Sequence, residues 1–171
     1  MIILKISNTK VKRLWIKIKC VLGVAIDVHS QKAYPRNVLS NLYNNQFSID
    51  GIECQSMEGF LQSLKFSDPL KQREICAMKG VKAKKAGNND WKVDQQVYWN
   101  GKIINRGGEE FQQLISRAYK AMFEHSETFR KALADTKGKR LYHTIGIDNL
   151  CDTILTTSEF CNRLTELRTK I

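Results

Sequence analysis

Leu39-Ser40-Asn41-Leu42-Tyr43, then Phe47-Ser48-Ile49-Asp50-Gly51-Ile52, then Ser56-Met57-Glu58-Gly59-Phe60-Leu61-Gln62-Ser63-Leu64-Lys65-Phe66 set a short hairpin directly before an amphipathic helix. At roughly 100° per residue, Met57, Phe60, Leu61 and Leu64 share one apolar arc. Glu58, Gln62 and Lys65 gather roughly 100° away, on one flank. The helix thus carries a carboxylate, an amide and an ammonium at the border of its buried face. On spacing alone these are ordinary boundary polar residues. A carboxylate at the lip of a core is also where chemistry is done.

Before this run, Leu14, Ile16, Ile18 and Cys20 alternate with Trp15, Lys17 and Lys19, the period of a strand with one buried face. Ile2, Leu4 and Ile6 alternate in the same way ahead of Ser7-Asn8-Thr9, so an N-terminal β-hairpin is expected, with Val24 to Val28 as a third strand. After the run, helices dominate. Asp68-Pro69 supplies an N-cap and a proline at the first helical position, and Gly80 stands where a C-terminal glycine belongs. A short basic turn from Lys82 to Ala86 stops at Gly87-Asn88-Asn89-Asp90. Phe111, Leu114, Ile115, Ala118, Tyr119, Met122 and Phe123 keep a 3.6-residue period and predict a long helix over 109–124. Ser126 caps a shorter helix to Leu133, Leu141 to Ile145 forms a small strand, and Thr157 or Ser158 opens a last helix.

With 171 residues, 42% hydrophobic content and two prolines, the chain is long enough for one domain with a real core and too apolar for disorder. No linker, repeat or low-complexity tract divides it. The expectation is a mainly helical α+β single domain with a small N-terminal β-hairpin or sheet. Residues 1–30 form the β extension, 36–155 the core and 157–171 the C-terminal helix.

The formal charge is +11, concentrated in residues 1–20, 65–92 and 130–140. Such clustering calls for an anionic partner, a nucleic acid or a phosphorylated small molecule. The five cysteines are odd in number and far apart, and with three histidines they show no metal-ligand spacing. Free thiols in a reducing cytoplasm are the economical reading. Cys54, four residues from Glu58, stays open as a nucleophile. No secretory signal and no apolar stretch long enough to span a bilayer is present, which points to a soluble protein without a membrane partner.

The order of Ser40, Asn41, Gly51, Ser56, Glu58, Gln62 and Lys65 resembles the signature of the NADAR superfamily, the YbiA-like N-glycosidases. A fainter echo runs through Ala83-Lys84 and Gly87, then through Met122-Phe123-Glu124-His125-Ser126 to Leu133. The resemblance spans about residues 36–155, and the compact size and added basic segment suit a bacteriophage-encoded branch, acting in the host cytoplasm. It implies hydrolysis of a base–ribose N-glycosidic bond in a phosphorylated nucleotide derivative, such as ADP-ribose on guanine or a riboflavin-pathway intermediate. Water is the nucleophile in that chemistry, so no cofactor and no metal are expected.

Breaking such a bond builds positive charge on the anomeric carbon, which a fixed carboxylate stabilises while it orients or deprotonates water. The resemblance gives Glu58 that role. Asn41 and Gln62 would hold the sugar or the water. Lys65, about 10 Å from Glu58 along the helix, suits a phosphate better than an ion pair. For a second acid the resemblance favours Asp148, with Asp152 as the alternative. For an aromatic that stacks on the base, Trp99 is preferred over Trp91, with Arg106 as a phosphate ligand before the long helix. His143 is held in reserve to protonate a leaving base. Two further readings stay open: an ADP-ribose or nucleotide-binding module without turnover, and a basic nucleic-acid-binding protein.

Overall fold

The structure is a computed structural model that describes residues 8–171. In chain order it runs α1 (Asn8–Val21), β1 (Ala25–Asp27), β2 (Phe47–Ile49), β3 (Ile52–Cys54), α2 (Met57–Ser63), α3 (Pro69–Cys76) and α4 (Gly80–Ala86). Then follow α5 (Trp91–Asp94), β4 (Gln96–Trp99), β5 (Lys102–Asn105), α6 (Glu109–His125), α7 (Glu127–Ala134), β6 (Arg140–Tyr142) and α8 (Thr157–Arg168). This is the mainly helical α+β class that the sequence predicts.

The described strands form three two-stranded ladders. β1 and β6 run parallel, while β2–β3 and β4–β5 are antiparallel hairpins. Each hairpin turns on two residues of positive φ: Asp50 (51°) with Gly51 (74°), and Asn100 (50°) with Gly101 (75°). Asp-Gly and Asn-Gly are the pairs that tolerate this geometry, whose twist matches the flanking strands.

The N-terminal segment corrects the sequence reading. Residues 8–21 are a helix, not a strand; Ile2, Leu4 and Ile6 lie outside the described residues. The period-2 alternation of Leu14, Ile16, Ile18 and Cys20 competes with a helical series, Val11, Leu14, Trp15, Ile18 and Leu22, and the second wins. The helix ends in a Schellman motif: Gly23 takes φ 75°, its N–H donates to Cys20 O (3.2 Å), and Val24 N–H donates to Lys19 O (3.1 Å). α1 leads straight into β1, so the predicted third strand becomes the partner of β6.

Gly80 also has a different task. It begins α4 instead of closing α3, and a Cβ there would stand 2.3 Å from Leu42 O, with only backbone to yield. The glycine lets α4 press onto the 40–42 turn. The basic stretch after it is a full helix, not a turn.

The core gathers around α2. Phe60 is fully buried, edge-on to Trp99 (centroids 5.0 Å apart) and to Phe47 (6.3 Å). Phe111, Leu114, Ile115, Ala118, Tyr119 and Met122 of α6 pack into the same cluster. Burying side chains of this size stabilises by about 1.5–3 kcal/mol each. Caps fix the element ends: Ser126 Oγ accepts from Phe129 N–H (3.1 Å), and Thr156 and Glu159 form a reciprocal capping box at α8.

Candidate functional site

The turn at Ser40–Leu42 and the first turn of α2 are tied together. Ser56 caps the helix by accepting from Gly59 N–H (3.1 Å), and Glu58 N–H donates to Asn41 O (2.9 Å). The Asn41 side chain is held in turn, because Tyr119 Oη donates to its Oδ1 (2.6 Å) from α6. A cavity of about 300 Å³ opens beside this joint. Asn41, Glu58, Gln62 and Lys65 line one side, with Lys84 of α4 and Trp91 of α5 beside them. His143 and a rim made from residues 145–147 and 152–156 face them.

Glu58 is half-buried, and burial pushes its carboxyl above the usual range; the hydrogen bond from Gln62 and the charges of Lys84 and Lys65 pull it the other way. Gln62 Nε2 donates to Glu58 Oε1 at 2.8 Å. Its other end, Oε1, is buried and has no partner among the described residues. Gly87 faces that oxygen so closely that a Cβ would sit 1.8 Å from it. An acceptor left unpaired in the interior is costly.

Lys65 donates to Asn88 O (3.1 Å), and its ammonium lies 5.8 Å from the centre of the Trp91 ring, within cation–π range. Burial brings its pKa down to about 8, against the opposing pull of Glu58. Lys65 and Lys84 therefore surround one carboxylate with two positive groups. His143 Nδ1 sits 2.8 Å from Val28 O; a carbonyl only accepts, so Nδ1 carries the proton and Nε2 of the neutral ring is bare. Burial depresses the ring below its ordinary 6.5, which leaves it neutral at pH 7 and an acceptor instead of the proton donor considered from the sequence.

Of the residues singled out from the sequence, Asn41, Glu58, Gln62 and Lys65 meet on this cavity; Trp99, Arg106 and Asp148 do not line it. Trp99 is a core residue, its Nε1 donating to Asp50 Oδ2 (2.8 Å) while Arg117 grips the same carboxylate (2.7 and 3.0 Å). The indole facing the cavity is Trp91. Arg106 is wholly buried and forms a bidentate pair with Glu159 (3.0 and 2.6 Å), so its guanidinium is committed and not open to phosphate. It also donates to Thr153 O (3.3 Å), which fastens the rim. Asp148 accepts from Ser158 N–H (2.9 Å) and Ser158 Oγ (2.8 Å) at the start of α8. Asp152, its alternative, does line the cavity and is exposed there.

Cys54 lies in the core beside Cys76, away from the cavity, and its thiol is pushed up by that neighbour and by burial. Lys84 came forward from the sequence only within the fainter family echo and without a role, and the rim at 153–156 did not come forward at all. Among the described residues, no three His, Cys, Asp or Glu gather where they could hold a metal ion. No described helix is long and apolar enough to cross a membrane.

Comparison with known proteins places this arrangement. The fold is similar to that of the Escherichia coli protein YbiA, whose NMR structure superposes with a TM-score of 0.60 over 86% of this chain and 84% of that one, at 18% identity. The YbiA-like fold implied by residues 40–65 is thus the fold observed. In sequence, the chain is 33% identical over 146 residues to the 17.1 kDa protein of the Gp30-rIII intergenic region of Enterobacteria phage T4, which covers 84% of this chain and 96% of the relative. The profile of the bacteriophage protein GP30.3 family matches residues 33–169. With four-fifths of its length matched and a phage relative at this level of identity, the chain belongs to the bacteriophage protein GP30.3 family, a divergent phage branch with a YbiA-like fold.

Proposed function

We propose that the protein is an N-glycosidase that hydrolyses a base–ribose bond in a phosphorylated nucleotide derivative, with ADP-ribosyl-guanine as the substrate type to test first. The observation that carries this reading is the half-buried Glu58 on the cavity wall, hydrogen-bonded to Gln62 and flanked by Lys65 and Lys84. In its ionised form such a carboxylate stabilises the cation that grows at the anomeric carbon, and it accepts a proton as water adds. Gln62, lining the same wall, fixes the Glu58 carboxylate through its Nε2 beside the ribose or the attacking water. Lys65 and Lys84 take the phosphates, and Trp91 offers the flat surface for the base. The bond from ribose to base nitrogen breaks, its electron pair leaves with the base, and water supplies the new C–O bond.

A second reading has one specific observation behind it. Asp148 is engaged with Ser158, and Asp152, the second carboxylate among the described lining residues, stands exposed on the rim and not half-buried as Glu58 is. A protein in this state binds ADP-ribose without turnover. Incubation with ADP-ribosylated guanine separates the two: release of free ADP-ribose that disappears in Glu58→Gln supports the hydrolase. Calorimetric binding of ADP-ribose with no product identifies the binding module, and neither result refutes the site.

A further inference from the structure

Helix α1 carries an apolar face that no described residue covers. At about 100° per residue, Val11, Leu14, Trp15, Ile18, Val21 and Leu22 fall within an arc of about 120°. All six are exposed, from 38% at Val11 to 87% at Val21. The docked edge is opposite: Ile16 is buried, Cys20 is half-buried, and the helix packs there against β1. Cations stand on both flanks of the exposed stripe, Lys12 and Lys19 on one side, Lys10 and Lys17 on the other, with Arg13 nearer the docked edge. No acid lies between residues 8 and 21.

We propose that α1 docks the protein onto the surface of an anionic lipid bilayer, lying in the interface with its apolar stripe inserted and its lysines at the phosphates. Charge decides between occupants. A second copy stacked through this stripe would bring two clusters of five cations together, within a Debye length at physiological salt. A nucleic acid would neutralise the lysines and leave Leu14, Ile18 and Val21 in water. An anionic lipid surface satisfies the stripe and both basic flanks at once. Trp15, 60% exposed at the edge of the stripe, sits where an interfacial aromatic belongs. The helix is about 21 Å long, too short to span a bilayer, so it lies on the surface. The absence of a membrane partner expected from the sequence rested on the lack of a secretory signal and of a bilayer-spanning stretch, neither of which bears on a helix lying at the surface. The segment precedes residue 33, where the family match begins, and none of its residues lines the cavity.

The test is flotation of the full chain with vesicles of phosphatidylcholine, with and without phosphatidylglycerol, read together with tryptophan emission. Trp91 and Trp99 are buried, so a change in emission reports Trp15. The chain is expected to float only with phosphatidylglycerol present, with a blue-shifted emission. Leu14→Glu with Ile18→Glu abolishes both signals, and Lys12→Gln with Lys19→Gln lowers partitioning by about five-fold per cation. These side chains lie on the surface, and circular dichroism checks that each variant keeps the fold. The proposal is overturned if the parent ignores both vesicle types, or if the double Glu variant floats as well as the parent. It is equally overturned by a lipid-free dimer that the Glu pair dissociates, or by duplex DNA binding without vesicle binding.

Discussion

Replacing Gly87 by alanine would place a methyl carbon 1.8 Å from Gln62 Oε1 and 2.8 Å from its Cδ, well inside contact distance. Gly87 has φ −67° and ψ 153°, values alanine adopts freely, so the backbone itself accepts the change. Relief has to come from the Gln62 side chain, whose Nε2 donates to Glu58 Oε1 at 2.8 Å. A hydrogen bond to an ionised group contributes about 1.5–3 kcal/mol, and about 1.4 kcal/mol corresponds to one pH unit. Loss of this donor therefore raises the titration midpoint of Glu58 by about 1–2 pH units. Carbon-13 NMR of labelled glutamate carboxyls, with Glu58 assigned through Glu58→Gln, reads that midpoint directly. Gln62→Ala removes the same donor without the clash and is expected to move it in the same direction. If both variants titrate where the parent does, the geometry assigned to the carboxylate is wrong.

The remaining predictions concern charge and burial. Burial works against the ionised Glu159, but Arg106, the Thr156 N–H and Gln112 outweigh it and bring its pKa down to about 2. Because the folded value lies below the unfolded one, the stabilisation is present above about pH 4.5 and is lost as pH falls towards 2; chemical denaturation across that range should lose up to about 3 kcal/mol from this group. Arg106→Ala leaves Glu159 without its partner and is expected to cost about 3–5 kcal/mol in urea unfolding near neutral pH, with Arg106→Lys recovering part of it. Lys65, with a pKa of about 8, loses its charge above that value, so kcat/KM for a phosphorylated substrate should fall on the alkaline side near pH 8; Lys65→Gln should abolish that limb.

What could be read from the sequence was what lies close along the chain. Asn41, Glu58, Gln62 and Lys65 meet because one turn, one helix and the residue just past its C-cap hold them, and helical geometry fixes the shared flank of Glu58 and Gln62 in advance. Trp91 and Trp99 are only eight positions apart and both buried, and nothing local tells which indole lines the cavity; the Asn100-Gly101 turn commits Trp99 to a hairpin against Phe60. Arg106 looks like a ligand by its place before a helix, yet its partner Glu159 lies 53 residues away and could not be inferred from spacing. Asp148 came from the family resemblance, as the aspartate in the loop after the strand at Arg140-Leu141, and that alignment cannot see that Ser158 claims its carboxylate. α1 shows how two periods can coexist in one segment: Leu14 and Ile18 belong to both, and Gly23 was the punctuation that favoured the helix.

The rim has a consequence for how the mouth of the cavity can change. It is moored at both ends: Arg106, outside the pocket, holds Thr153 and the capping residue Glu159 at one, and at the other the packing of Gly146 against His143 and Thr157 leaves no room for a side chain. The exposed stretch between them, residues 147–152, bears little of the core. Substitutions there can reshape the mouth of the cavity while the wall carrying Glu58 stays untouched. Entrance and wall are thereby free to vary on separate parts of the chain.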